Sequence, residues 1–256
     1  MRAPRVLAVL FDPVSAVGEA VSSRAWLLPL LLSVGLTAAA SAALAVRLDQ
    51  ARLVLPKLEA AGELSKVSER EIAEQVEQAE RVAIVAGVAS GLFVVPMIAL
   101  CAAAGLWLMS WLLGRRAGFT ELFTAVCVAM LPLAVGQGVT LAAALRQPSL
   151  SPAMAKALVP SSLGQLLAGA APTTTAVAGE PKTPSGFKPT ATRALLELAD
   201  FFHLWAALLL GLGFAAATKW SLARAVPIGA LLYFLVVAAV TIGLPGLASG
   251  GGGAGR

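Results

Sequence analysis

Asp200 and His203 stand three residues apart, a spacing that puts two side chains on one face of a helix, and they are the pair in this sequence best suited to moving a proton or holding a cation. Ionisable groups beside an apolar run mark either a functional site or a polar helix end that keeps its water. The chain has a single His and no His-Glu-x-x-His or paired-Cys spacing, so a metal centre would lack ligands. We therefore expect no metal and no cofactor. Cys101 and Cys127 lie inside apolar runs, where thiols behave as small hydrophobes. Val88-Ala89-Ser90-Gly91 approaches a Gly-x-Ser-Gly serine nucleophile, but Val88 stands where Gly is required. A Ser in an Ala/Gly-rich helix reads first as a packing residue, and no phosphate-binding loop or nucleophile elbow occurs. Gln137, between Gly136 and Gly138, reads as a hydrogen-bonding group between helices before it reads as a ligand contact. These residues predict a chain that is not an enzyme.

The elements that carry them are set by composition. Hydrophobic residues make up 58% of the 256 residues and charged residues 13%, with mean hydropathy +0.84. A soluble domain has about twice that share of charge and could not hide so much apolar surface. The expected fold is all-α, a polytopic membrane bundle of about five transmembrane helices. The net charge of +5 does not point to nucleic acid, because the 13 Arg and 6 Lys are scattered at the ends of apolar runs. Placed there, they orient the chain and meet anionic headgroups.

Residues 1–24 read as an N-terminal segment with a short interfacial helix over 13–23, since Asp12 suits an N-cap and Pro13 a first helical position. Residues 25–247 read as one membrane domain, and 248–256 as a disordered Gly-rich tail. The first span is 25–46. A cleaved signal peptide is a rival reading, but its charged region would be too long and would hold Asp12 and Glu19. Ser68 to Glu71 fits a capping box, followed by Ile72, Val76, Ala79 and Ala83 on one face of a water-exposed stem. The stem feeds an apolar run over 82–113, roughly 48 Å of helix against a hydrocarbon core of about 30 Å. It must tilt or bend, and Gly87, Gly91 and Pro96 are the places to bend. Gly87 and Gly91 also form a small-xxx-small pair for close helix contact. The third span is 122–145, containing Pro132. A long Pro/Ser/Thr/Gly-rich loop follows, in which 158–167 could re-enter the membrane. The fourth span ends at Thr218, and the fifth is 226–247.

Short connections carry Arg115 and Arg116 after the second span, Lys219 and Arg224 after the fourth, and Arg2, Arg5 and Arg24 before the first. All fall on one side of a five-span chain. The positive-inside rule puts that side, with the N-terminus, in the cytoplasm and the C-terminus outside.

Phe11-Asp12-Pro13 ahead of Arg24-Ala25-Trp26-Leu27-Leu28-Pro29 resembles the start of the Yip family, the five-span membrane proteins that interact with Ypt/Rab GTPases, in its bacterial branch. The run from Gly114 to Phe123 leading to Pro132 is similar to that family's cytoplasmic loop and third helix. Asp200 to Trp205, Gly211-Leu212-Gly213 and Trp220 to Ala225 are similar to its fourth helix and turn. The resemblance implies a five-helix domain, and in eukaryotic members a role in vesicle traffic. That role is not expected to carry over, because the segment before the first span is short. We expect a non-enzymatic adaptor or organiser of the bacterial cytoplasmic (inner) membrane. Arg115, Arg116, Lys219 and Arg224 would contact membrane lipids, a membrane-protein partner or a second copy, and no nucleic acid. The alternative is a permease or lipid-handling component, to which Gln137, Asp200 and His203 would belong.

Overall fold

The computed structural model describes residues 8–9, 11–62, 67–151, 154–155 and 200–238. Arg2 and Arg5, the stretch 158–167, the approach to the fourth span over 191–199, the far end of the fifth over 239–247 and the tail 248–256 lie outside the described residues. In chain order the helices are α1 (Pro13–Ser22), α2 (Leu27–Arg47), α3 (Ala51–Ala60), α4 (Glu69–Ala89), a π-turn (Ser90–Val94), α5 (Val95–Leu112), α6 (Phe119–Ala129), α7 (Leu131–Leu145), α8 (Phe201–Thr218) and α9 (Leu222–Ala238). Among the described residues no strand is formed, and an isolated parallel bridge joins Leu48 to Leu150. Among the described residues four helices are long and apolar enough to cross a membrane: Leu27–Arg47, Glu69–Leu112, Phe119–Leu145 and Phe201–Thr218. α9 is a shorter apolar helix of 17 described residues. The chain is an all-α polytopic membrane bundle, because a helix satisfies its own backbone where no water can.

Local sequence places the helix starts. The Asp12 carboxylate accepts from the Ser15 amide at 3.5 Å, and Pro13 follows as the first helical residue. The Ser68 amide donates to Glu71 Oε2 at 2.8 Å, while the Glu71 amide donates to Ser68 Oγ at 3.3 Å. That reciprocal pair is the expected capping box. Ile72, Val76, Ala79 and Ala83 are half-buried on α4, as their spacing predicts, while the residues between them, Glu80 apart, are exposed. Pro132 takes the second position of α7, where a missing N–H breaks no helical bond.

The long second helix runs unbroken from Glu69 to Leu112, 44 residues, and its irregularity is the π-turn. Pro96 cannot donate to the carbonyl of Leu92, and its ring crowds that oxygen; widening the turn just upstream relieves both. The widening also aligns contacts. Gly91, Val95, Ala99 and Ala103 are buried at steps of four, and in a regular helix each such step drifts by about 40°. A turn with extra residues takes up part of that drift.

The chain divides into two compact units. Unit 1 comprises Met1–Ala38, Ala89–Val135 and Trp205–Arg256. Its core is built on Leu106, Leu122, Leu209, Phe214, Val17 and Val128, all essentially inaccessible. α1 contributes Ala16, Val17, Ala20 and Val21 to it, while Phe11 on the same segment is 88% exposed. This helix therefore has a protein face as well as an outward one. Close backbone approaches hold the unit together. A Cβ on Gly229 would stand 2.5 Å from Gly211 Cα, one on Gly213 would stand 2.5 Å from Ala125 Cβ, and one on Gly91 would stand 2.7 Å from the Ala38 amide nitrogen. The buried hydroxyls of Thr124 and Thr218 donate to carbonyls one turn back, of Thr120 and Phe214, each at 2.7 Å. They need no other partner.

Unit 2 comprises Ala39–Val88 and Gly136–Leu204. Gly87 lies against Ser41, where a Cβ would meet the Ser41 Cβ at 2.9 Å. Beyond α2 the chain is strapped to the residues that follow α7: the Asp49 amide donates to Leu150 O at 2.9 Å and the Leu150 amide to Arg47 O at 2.7 Å. Leu150 is fully buried under this strap.

Because the atoms facing Gly211 and Gly229 are backbone, Gly211→Val or Gly229→Val must push α8 and α9 apart, at a cost of about 1–3 kcal/mol or more. Gly105 has nothing within 4 Å of its would-be Cβ, so Gly105→Ala should stabilise by about 0.4–1 kcal/mol. Thermal unfolding of the purified protein in detergent should move down for the first two and up for the third. Equal shifts would contradict the packing described.

Candidate functional site

Three helices of unit 1 end in the same way. After α1 the Ala25 amide reaches back to Ala20 O at 3.0 Å; after α5 the Arg115 amide reaches Ser110 O at 2.7 Å; after α8 the Trp220 amide reaches Ala215 O at 3.1 Å. Each of these six-to-one bonds closes a Schellman turn, which needs one residue in the left-handed region. Gly114 fills that role after α5 with φ +68, but Arg24 (φ 53) and Lys219 (φ 55) fill it in the other two. A side chain there costs roughly 1–2 kcal/mol. Part of that cost is offset by the negative end of the helix dipole, which favours a cation just past the last turn.

Side chains tie these turns to one another. Arg24 Nη2 lies 3.7 Å from Glu121 Oε1, and Glu121 Oε2 accepts from the Gly118 amide at 3.3 Å. Trp26 meets Phe123 edge to face with ring centres 5.5 Å apart, and Phe119 stacks on Phe123 at 6.3 Å. The Arg115 guanidinium sits over the Trp220 ring, 5.5 Å from its centre. The turn after α1 is thus fixed to the start of α6, and the turn after α5 to the turn after α8.

The candidate cations divide into two groups. Arg24 and Arg115 are engaged, with Glu121 and Trp220. Arg116, Lys219 and Arg224 are exposed, and none is ion-paired with a described acid. Arg224 lies in the first turn of α9. The Trp220 indole N–H is buried and has no acceptor among the described residues.

The other sequence candidates are placed differently. Asp200 Oδ1 accepts from the Phe202 amide at 2.6 Å, the work of a cap on α8. His203, in the next turn, is half-buried. Gln137 is half-buried in α7 and makes no side-chain hydrogen bond to a described residue, while Gly136 beside it makes room for the Phe202 ring, 3.1 Å from its would-be Cβ. Ser90 opens the π-turn in unit 1, whereas His203 belongs to unit 2. Cys101 is exposed and Cys127 buried, both as free thiols. Among the described residues no three His, Cys, Asp or Glu side chains gather as a metal would require. Sequence reasoning found Arg115 and Trp220 separately but not their contact, since nothing in local spacing reports a pairing between two different turns. The bond between Arg24 and Glu121 was missed for the same reason.

In a double-mutant cycle, Arg115→Gln and Trp220→Leu should couple by about 0.5–1 kcal/mol, the range of an exposed cation–π contact. Chemical or thermal unfolding in detergent reads the cycle, and strictly additive effects would mean that the two side chains do not support one another.

The family model of the Yip1 domain matches residues 7–244. No curated protein and no solved structure matches the chain.

Proposed function

Because the chain belongs to the Yip1 domain family, we propose that it is a non-enzymatic organiser of the membrane in which it is embedded, docking another membrane component on the cationic turns of unit 1. The observation that carries this reading is that Arg24 and Glu121 fix the turn after α1 to the start of α6, while Arg115 and Trp220 fix the turn after α5 to the turn after α8, which leaves Arg116, Lys219 and Arg224 presented outward. A surface so fixed can hold a partner with little loss of its own freedom. Close packing at Gly91, Gly211, Gly213 and Gly229 supports the role by making the frame stiff.

The membrane is, on this reading, the bacterial cytoplasmic membrane. The turns and the N-terminus lie in the cytoplasm and the C-terminus outside, as the excess of Arg and Lys in the short connections favours. Asp200 and His203 then belong to a polar helix end at the outer interface, in keeping with the capping bond of Asp200.

A photo-crosslinking residue placed at Ala223, beside Arg224, in native membranes should give a discrete and reproducible set of adducts, and Arg116→Gln with Arg224→Gln should thin it. Reconstituted protein should move neither labelled lipid nor ions across liposomes. Rapid movement of either, with no discrete adduct, would replace the organiser with a transporter.

A further inference from the structure

We infer that Lys219, Arg116 and Arg224 form a binding surface for the phosphate headgroup of an anionic phospholipid, an inference that rests on the organiser reading and names what its cationic turns hold. Lys219 is the starting observation. It occupies a left-handed position, φ 55, that glycine would fill without strain, as Gly114 does in the matching turn after α5. Nothing in the fold requires its side chain there: it is exposed and has no ion-pair partner among the described residues. A strained residue kept where an unstrained one would serve points to a role for its side chain.

The surroundings fit a phosphate. Glu121, the acid nearest Arg116 in sequence, is engaged by Arg24 and by the Gly118 amide, so it does not neutralise the remaining cations. Arg115 is turned onto Trp220, which leaves Arg116 to face outward. Level argues for lipid over a soluble acidic partner. Trp107 and Trp111 are 47% and 66% exposed on α5, as in an aromatic belt at the membrane interface, and Arg116 follows one turn beyond Trp111. Lys219 directly follows the last residue of the α8 span. Cations one turn past such a belt sit at the depth of the phosphates, where each is worth about fivefold in affinity for an anionic surface.

Native mass spectrometry of the full-length protein, exchanged into mixed micelles of phosphatidylglycerol and phosphatidylcholine, tests this. Wild type should retain phosphatidylglycerol preferentially. Lys219→Gly should lower that preference about fivefold, and Arg116→Gln with Arg224→Gln should lower it further. Lys219→Gly should at the same time raise the unfolding temperature, since it removes a left-handed side chain; this shows that the lost preference is not lost folding. Unchanged preference in Lys219→Gly, or none in wild type, overturns the inference. If preference is absent while the crosslinker at Ala223 still captures a discrete protein, the lipid assignment falls and the organiser reading stands with a protein as its partner.

Discussion

In a lipid medium the tails surrounding a helix are as apolar as its own leucines, so burial alone does not drive one helix onto another; close van der Waals approach must do so. Unit 1 is organised around that constraint. At Gly211 and Gly229 the backbones of α8 and α9 approach until no side chain fits between them, and Gly213 lets α8 come equally close to α6 at Ala125. In Phe119–Leu145 and in α8 61% of the apolar window is buried, against 17% in α2 and in the long second helix, whose close approaches at Gly87 and Gly91 cover only one narrow stripe. Those two leave most of their surface for lipid.

A frame held by contact rather than by water must also close its helix ends, since carbonyls left over at a terminus have no partner in an apolar setting. Here the same Schellman turn is used after α1, α5 and α8. Cations fill two of the three left-handed positions, and aromatic and acidic groups next to them lock the turns together. Helix packing sets the ends side by side, and the ends in turn gather charge. The candidate site is in this sense a product of how the helices stop.

Features governed by neighbours in the chain were legible in the sequence. The Asp12-Pro13 start, the Ser68/Glu71 box, the small pair at Gly87 and Gly91, and the limits of the first span to within two residues all follow from local rules. Features governed by distant neighbours were not. The π-turn comes from Pro96 acting together with a buried stripe, Gly91, Val95, Ala99 and Ala103, whose packing partners lie on other helices. The inward face of α1, the strap between Asp49 and Leu150, and the seating of Arg115 on Trp220 depend on partners far along the chain, which periodicity does not report. Asp200, the most chemical-looking residue at first sight, accepts from the Phe202 amide at the start of α8.

The turns of unit 1 must share one side of the membrane, and cysteine accessibility in intact cells tests that most directly. With Cys101 and Cys127 replaced by alanine, single cysteines at Ser23, Gly118 and Ser221 should resist an impermeant maleimide until the membrane is opened, while those at Ser68 and Ser149 should label at once. Labelling of Gly118 from outside with protection of Ser68 would reverse the orientation. A split among Ser23, Gly118 and Ser221 would contradict the account, because turns bonded to one another cannot face opposite compartments.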